Sequence, residues 1–228
     1  MVSAEHAPIR FDLRMIASTI DPGSRVLDLG CGNGDLLAWL VVHKGVIGTG
    51  IERDKDKAAH CIARGLTVLQ GDLNSEVDDF PDGCFDYVIL SQTLQQVFAP
   101  DRLLSALARI GRRVIVSFPN FSHYSIRLQL LLRGAAPKND QLPYSWYNTP
   151  NIRVITLKDF RDFARQVGYR IVREIDISTG PADKDGQIIR RLANYRATYG
   201  IFIIEKHSVT GTPRTTRTNH GSSRHSHP

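Results

Sequence analysis

Cysteine, tryptophan and long apolar runs are all scarce in this chain of 228 residues, and each scarcity excludes something. The three cysteines, Cys31, Cys61 and Cys84, form no Cys-x-x-Cys pair and are odd in number. A disulfide framework and a thiolate metal site are therefore not expected, and free thiols in a reducing compartment are. Nowhere do 18 apolar residues follow one another, and no basic segment leads into a hydrophobic stretch near the start. Membrane spanning and secretion are both disfavoured on that pattern, and a cytoplasmic location is expected. Acidic residues are missing altogether from His207 to Pro228, and large apolar ones nearly so. Such a segment cannot offset the entropy of its own ordering, so 207–228 is read as a disordered tail behind one domain over 1–206. Its three arginines account for half of the net charge of +6, leaving the domain with too little excess charge to suggest nucleic-acid binding. Deleting the tail is expected to leave the melting temperature nearly unchanged, and a clear fall in a calorimetric scan would show that it docks.

What is present centres on Val26-Leu27-Asp28-Leu29-Gly30-Cys31-Gly32-Asn33-Gly34, followed by Leu36, Leu37, Trp39 and Leu40 at helical spacing. An apolar run, a triple-glycine turn and an amphipathic pattern read as strand, tight turn and helix. Glycines let the backbone approach a ligand without a Cβ in the way, and the helix N-terminus offers unpaired N–H groups. Asp28 decides which ligand suits the turn. A carboxylate two residues before the first glycine is a poor neighbour for a pyrophosphate, but it suits the sulfonium and ammonium groups of S-adenosylmethionine (SAM). A nicotinamide dehydrogenase is disfavoured for the same reason, and because the third glycine comes one residue early for Gly-x-Gly-x-x-Gly.

The rest alternates. Ile9, Leu13, Ile16, Ala17 and Ile20 predict a covering helix that Asp21-Pro22-Gly23 breaks. Val46 to Ile51 predicts a second buried strand ending in Glu52, twenty residues after Gly32. That offset brings a carboxylate beside the first strand, where it can accept the ribose hydroxyl protons, while Asp54 suits the cap of the next helix. Leu66 to Leu69 is a third strand with Asp72 beyond its end, a candidate for the adenine amino group or an ordinary turn acid. The fourth strand, Phe85 to Leu90, carries Ser91 and a polar run at its carboxyl edge, and Val114 to Phe118 is the fifth. A helix capped by Thr156, and two further strands over Tyr169–Ile177 and Tyr199–Glu205, complete the pattern. Alternating strands and helices imply a parallel α/β sheet. Segment 119–155 fits no bare nucleotide fold. Its aromatics and His123 form either a lid over the crevice, with His123 as a candidate general base, or an apolar cap that packs or meets a partner.

From Val26 to Gly32, through Phe85-Asp86-Tyr87-Val88 and on to Arg109, the chain resembles class I SAM-dependent methyltransferases. Within them it resembles the MetW family of methionine biosynthesis in Leu90-Ser91-Gln92-Thr93-Leu94-Gln95, Ser117-Phe118-Pro119-Asn120-Phe121, Leu142-Pro143-Tyr144 and Trp146 to Ile152. The resemblance implies a doubly wound Rossmann-like fold of seven mostly parallel strands, order 3-2-1-4-5-7-6, the last strand antiparallel. It implies that Asp28, Gly30, Gly32 and Gly34 shape a methionyl pocket, Glu52 holds ribose, and Asp72 with Leu73 borders adenine; Cys31 in the turn and Ser91 join the candidate set, with SAM or S-adenosylhomocysteine as ligand. It also implies a partner, the homoserine O-acyltransferase MetX. The alternative is an active methyltransferase on an unidentified small molecule, in which direct displacement at the sulfonium methyl needs alignment more than acid-base groups. Related small-molecule enzymes carry histidines after the fourth strand, where this chain has Gln95 and Gln96.

Overall fold

The computed structural model describes residues 9–180 and 183–206. Its elements are α1 (Phe11–Ala17), β1 (Arg25–Leu29), α2 (Asp35–Lys44), β2 (Ile47–Glu52), α3 (Lys55–Ala63), β3 (Thr67–Gln70), α4 (Leu73–Glu76) and β4 (Phe85–Ser91). There follow α5 (Pro100–Ile110), β5 (Gly111–Pro119), α6 (Tyr124–Arg133), α7 (Leu157–Gln166), β6 (Tyr169–Thr179), β7 (Gly186–Ile188), α8 (Ala193–Arg196) and β8 (Tyr199–Lys206). The tail expected over 207–228 lies outside the described residues.

Local chemistry accounts for several boundaries. Asp54 caps α3, its Oδ1 accepting the N–H groups of Asp56 and Lys57 at 2.9 and 3.2 Å. Thr156 caps α7 in the same way, its hydroxyl accepting the Asp159 N–H at 3.1 Å. Pro100 opens α5, where its missing N–H costs nothing. At the other end of α5, Gly111 passes directly into β5 with no loop.

The strands form a single sheet in the order β3-β2-β1-β4-β5-β8-β6-β7. Strands β1 to β5 pair in parallel, whereas β8 runs antiparallel to both β5 and β6. The expected order thus holds with one addition. The sheet has eight strands and not seven, because three residues after the longest strand fold back on it as β7. That strand is too short to carry an alternating pattern, which is why the sequence reading passed over it.

Both faces of the sheet are covered, which positions the strand ends as the free edge for a ligand. On one face Leu27, Val88, Val116 and Phe202 pack with Leu104 and Leu107 of α5 and Phe160 of α7. On the other, Val26, Ile89, Ile115 and Ile201 meet Ile16 and Ala17 of α1 and Leu36 and Leu40 of α2. Alternation along each strand feeds the two layers, and each fully buried aliphatic side chain contributes about 1.5–3 kcal/mol. Among the described residues no helix is long and apolar enough to cross a membrane.

Candidate functional site

The carboxyl end of β1 turns sharply because both Gly30 and Cys31 donate their N–H groups to the Ile51 carbonyl, at 2.8 and 3.2 Å. Two glycines in this turn do different work. Gly32 has φ +57°, and a Cβ there would meet nothing within 4 Å, so its face is left open to whatever enters the cleft. Gly34, at φ +75°, is closed off: a Cβ would stand 2.6 Å from Leu66 Cδ1 and 2.9 Å from Cys61 Sγ. It lets the start of α2 pack on Cys61 of α3 and on Leu66 just before β3, and it does not line the cleft. Of the residues expected at the site, Asp28, Gly30, Cys31, Gly32, Glu52, Asp72, Leu73 and Ser91 all do line it, in a volume of about 940 Å³.

The carboxylates divide the labour. Glu52 Oε2 accepts the Gly32 N–H and Oε1 the Asp54 N–H, each at 2.8 Å, so this side chain ties the glycine turn to the head of α3. Each oxygen keeps a further lone pair for a hydroxyl donor. Asp28 is only 3 % exposed. Burial, then the nearby Glu52, pushes its carboxyl up to about 7. Two neighbouring acids are electrostatically incomplete by themselves, and a positively charged ligand group would relieve them. Asp72 caps α4, its Oδ1 accepting from the Asn74 backbone at 2.8 Å and the Asn74 amide at 2.7 Å. The Ser91 hydroxyl lies 3.1 Å from that of Ser117. The Cys31 sulfur lies 2.7 Å from where a Cβ on Gly50 would stand, and burial holds its thiol far above the usual range.

Sequence reasoning missed one wall of the cleft, built by Ile9, Arg10 and Leu13 with Trp39 of α2 and with Gln92 and Thr93 past β4. A signal was available: Asp12 lies three residues after Ile9 and four before Ile16, on the apolar stripe of α1, where a carboxylate needs a reason. In the other direction, no residue of 119–155 lines the cleft, so the lid reading is not supported. His123 instead caps α6, its Nδ1 lying 2.7 Å from the Ser125 hydroxyl, and the ring also bonds the Arg196 backbone. It faces a second, smaller cavity and does not line the main cleft, so the placement gives the general-base reading no support.

A sequence model of the family "Methionine biosynthesis protein MetW" matches residues 10–204. The chain belongs to this family. A MetW-related protein of Rhodopirellula baltica, the bifunctional methionine biosynthesis protein MetXA/MetW, is 37 % identical over 183 residues, which are 75 % of this chain but only 29 % of that longer protein. Among solved structures, a SAM-dependent methyltransferase from Thermotoga maritima superposes with a TM-score of 0.61 at 16 % identity, covering 85 % of this chain and 87 % of its own. The cyclase SpnF superposes at 0.59 and 18 %, covering 85 % and 80 %. These likenesses establish the class I methyltransferase fold for this chain, and a cyclase among them shows that the fold does not dictate one reaction.

Proposed function

We propose that this MetW-family protein binds SAM in the β1–β4 cleft and serves methionine biosynthesis as a SAM-binding subunit working with homoserine O-acyltransferase, MetX. The observation that carries the binding half is the buried Asp28 near Glu52, in the same cleft to which Gly32 presents its open face. A sulfonium amino acid supplies the cationic groups that this pair lacks, and the adenosine hydroxyls suit the remaining lone pairs of Glu52. Bound there, SAM would bring an activated methyl group, while the chain's own side chains would bind and orient it. The partner half is supported by the Rhodopirellula relative, whose name joins a MetXA function to a MetW function in one polypeptide. A surface for that partner is at hand: Leu128, Leu131 and Leu132 of α6 and Tyr144, Trp146 and Tyr147 beyond it are all exposed. Aromatic and aliphatic side chains in such number are the usual material of an interface.

The deciding experiment is purification with and without the acyltransferase, followed by acyl-transfer assays with SAM present and absent. Dependence of transfer on this chain and on SAM supports the subunit reading, whereas release of S-adenosylhomocysteine would make the protein a methyltransferase. For the site itself, Glu52→Ala is expected to weaken SAM binding by about 1 to 3 kcal/mol, the scale of lost charge-assisted hydrogen bonds. Titration calorimetry giving an unchanged affinity would remove Glu52 from the site.

A further inference from the structure

The second cavity, of about 470 Å³, has no task in the reading above. It lies on the same edge of the sheet as the main cleft, among the end of β6, the residues just before β8, the head of α6 and the loop that holds Asp140. Its size is that of a small-molecule site. Part of its lining is committed internally and therefore fixed. The Thr198 hydroxyl donates to the Ile177 carbonyl at 3.2 Å and accepts the Thr179 N–H at 3.1 Å, while the Thr179 hydroxyl donates to Asp183 Oδ1 at 2.6 Å. The His123 ring lies 2.7 Å from the Ser125 hydroxyl and bonds the Arg196 backbone, which fixes where the Arg196 side chain begins. Burial holds the imidazole below its ordinary value, so at neutral pH it adds no charge to the cavity.

The rest of the lining is uncommitted. Among the described residues, the side chains of Asp140, Gln141, Ser178, Gln187 and Arg196 form no hydrogen bond or ion pair, although all five line one cavity. With His123 neutral, the charges in this described lining are one guanidinium and one carboxylate, and they do not pair with each other. A lone phosphate would gain from Arg196 and be opposed by Asp140, and a lone amine would meet the reverse. A zwitterion satisfies both at once. The amides of Gln141 and Gln187 and the Ser178 hydroxyl can each donate and accept, which suits a polar side chain and offers no partner to a third charge. Exposed groups scattered over a surface need no ligand, but here opposite charges converge on one walled space.

We propose that this cavity is a second ligand site, taking a free α-amino acid with a polar, uncharged side chain, its carboxylate on Arg196 and its ammonium group on Asp140. The assignment stands on the cavity and does not require the SAM reading of the main cleft. The probe is L-homoserine, set against two analogues: 3-amino-1-propanol, which lacks the carboxylate, and 4-hydroxybutanoate, which lacks the ammonium group. Amide-resolved NMR titration of the full chain reads both affinity and place. L-Homoserine is expected to shift the amides of Ser125, Ser178 and Gln187 saturably, and each analogue to bind about tenfold or more weaker, the scale of one lost charge-assisted pair. Arg196→Met should bring the affinities for L-homoserine and 3-amino-1-propanol to a ratio of about one, and Asp140→Asn should do so for L-homoserine and 4-hydroxybutanoate. Both side chains are exposed, so neither change opens the core, and a native amide spectrum checks the fold. Absence of saturable binding overturns the assignment. So do unchanged ratios in the variants, and so do shifts confined to Gly32 and Glu52, which would place the amino acid in the main cleft.

Discussion

Trp146→Ala is expected to abolish copurification with the homoserine O-acyltransferase, leave the fold intact, and change SAM affinity by less than about tenfold. The indole is 79 % exposed, and its ring contact is Tyr147, met edge-on at 5.8 Å. Truncating it therefore opens no core cavity, and no residue of its segment lines the β1–β4 cleft. What it does remove is the largest ring of an exposed apolar stretch that also holds Tyr144, Leu131 and Leu132. Truncation of such an anchor commonly costs about 2 kcal/mol or more of binding free energy, enough to empty a pull-down at modest affinity. Full retention of the acyltransferase would defeat the interface. A large loss of SAM affinity would make the segment a lid after all, against the geometry.

Asp28→Asn is expected to raise the melting temperature of the ligand-free protein at pH 8 by several degrees and to raise it little at pH 5. The folded carboxyl titrates near 7, while an unfolded chain releases that proton near the ordinary value of 3.8. Between those two values the folded state holds more protons, so stability contributed by this group is greatest at low pH and falls as the pH climbs to about 7. Above that it stays low, by an amount of the order of a few kcal/mol. Asparagine never ionises and escapes the loss. Burial raises Asp12 and Asp176 as well, but both titrate in either protein and cancel in the difference. Scanning calorimetry across pH 5 to 8 checks the expectation, and a gain that does not grow with pH would show that the buried carboxylate carries no penalty. On the proposed function the same substitution should also weaken SAM, since the anion that costs stability would be the one to face the ligand's positive groups.

Much of this molecule was legible in sequence because much of it is local. Asp54 and Thr156 as caps and the glycine turn after β1 depend on residues within a few positions of each other, where spacing speaks directly. Glu52 was reachable because a strand-helix-strand unit has a fixed length. The contact of Asp12 with Gln92 was not, since the two stand 80 residues apart and meet only after the sheet forms. Gly34 was misplaced for a related reason. A glycine that admits Leu66 and Cys61 looks the same in sequence as one that admits a ligand.

The place of β8 has a consequence for how this chain is made. β8 is the last described strand in sequence, yet it sits between β5 and β6 and joins them. Strands β6 and β7 pair with each other and reach the rest of the sheet through β8 alone. On the ribosome, β1 to β5 can assemble as they emerge, whereas β6 must wait, its inner edge unpaired, until Lys206 has cleared the exit tunnel. Ile201 and Ile203 then have to find Ile115 and Ile175 across long stretches of chain, a slow non-local step. During that interval the inner edges of β5 and β6 are exposed to pairing with other chains. Stop codons anywhere before Ile204 should accordingly yield aggregates, and not a shortened but folded domain.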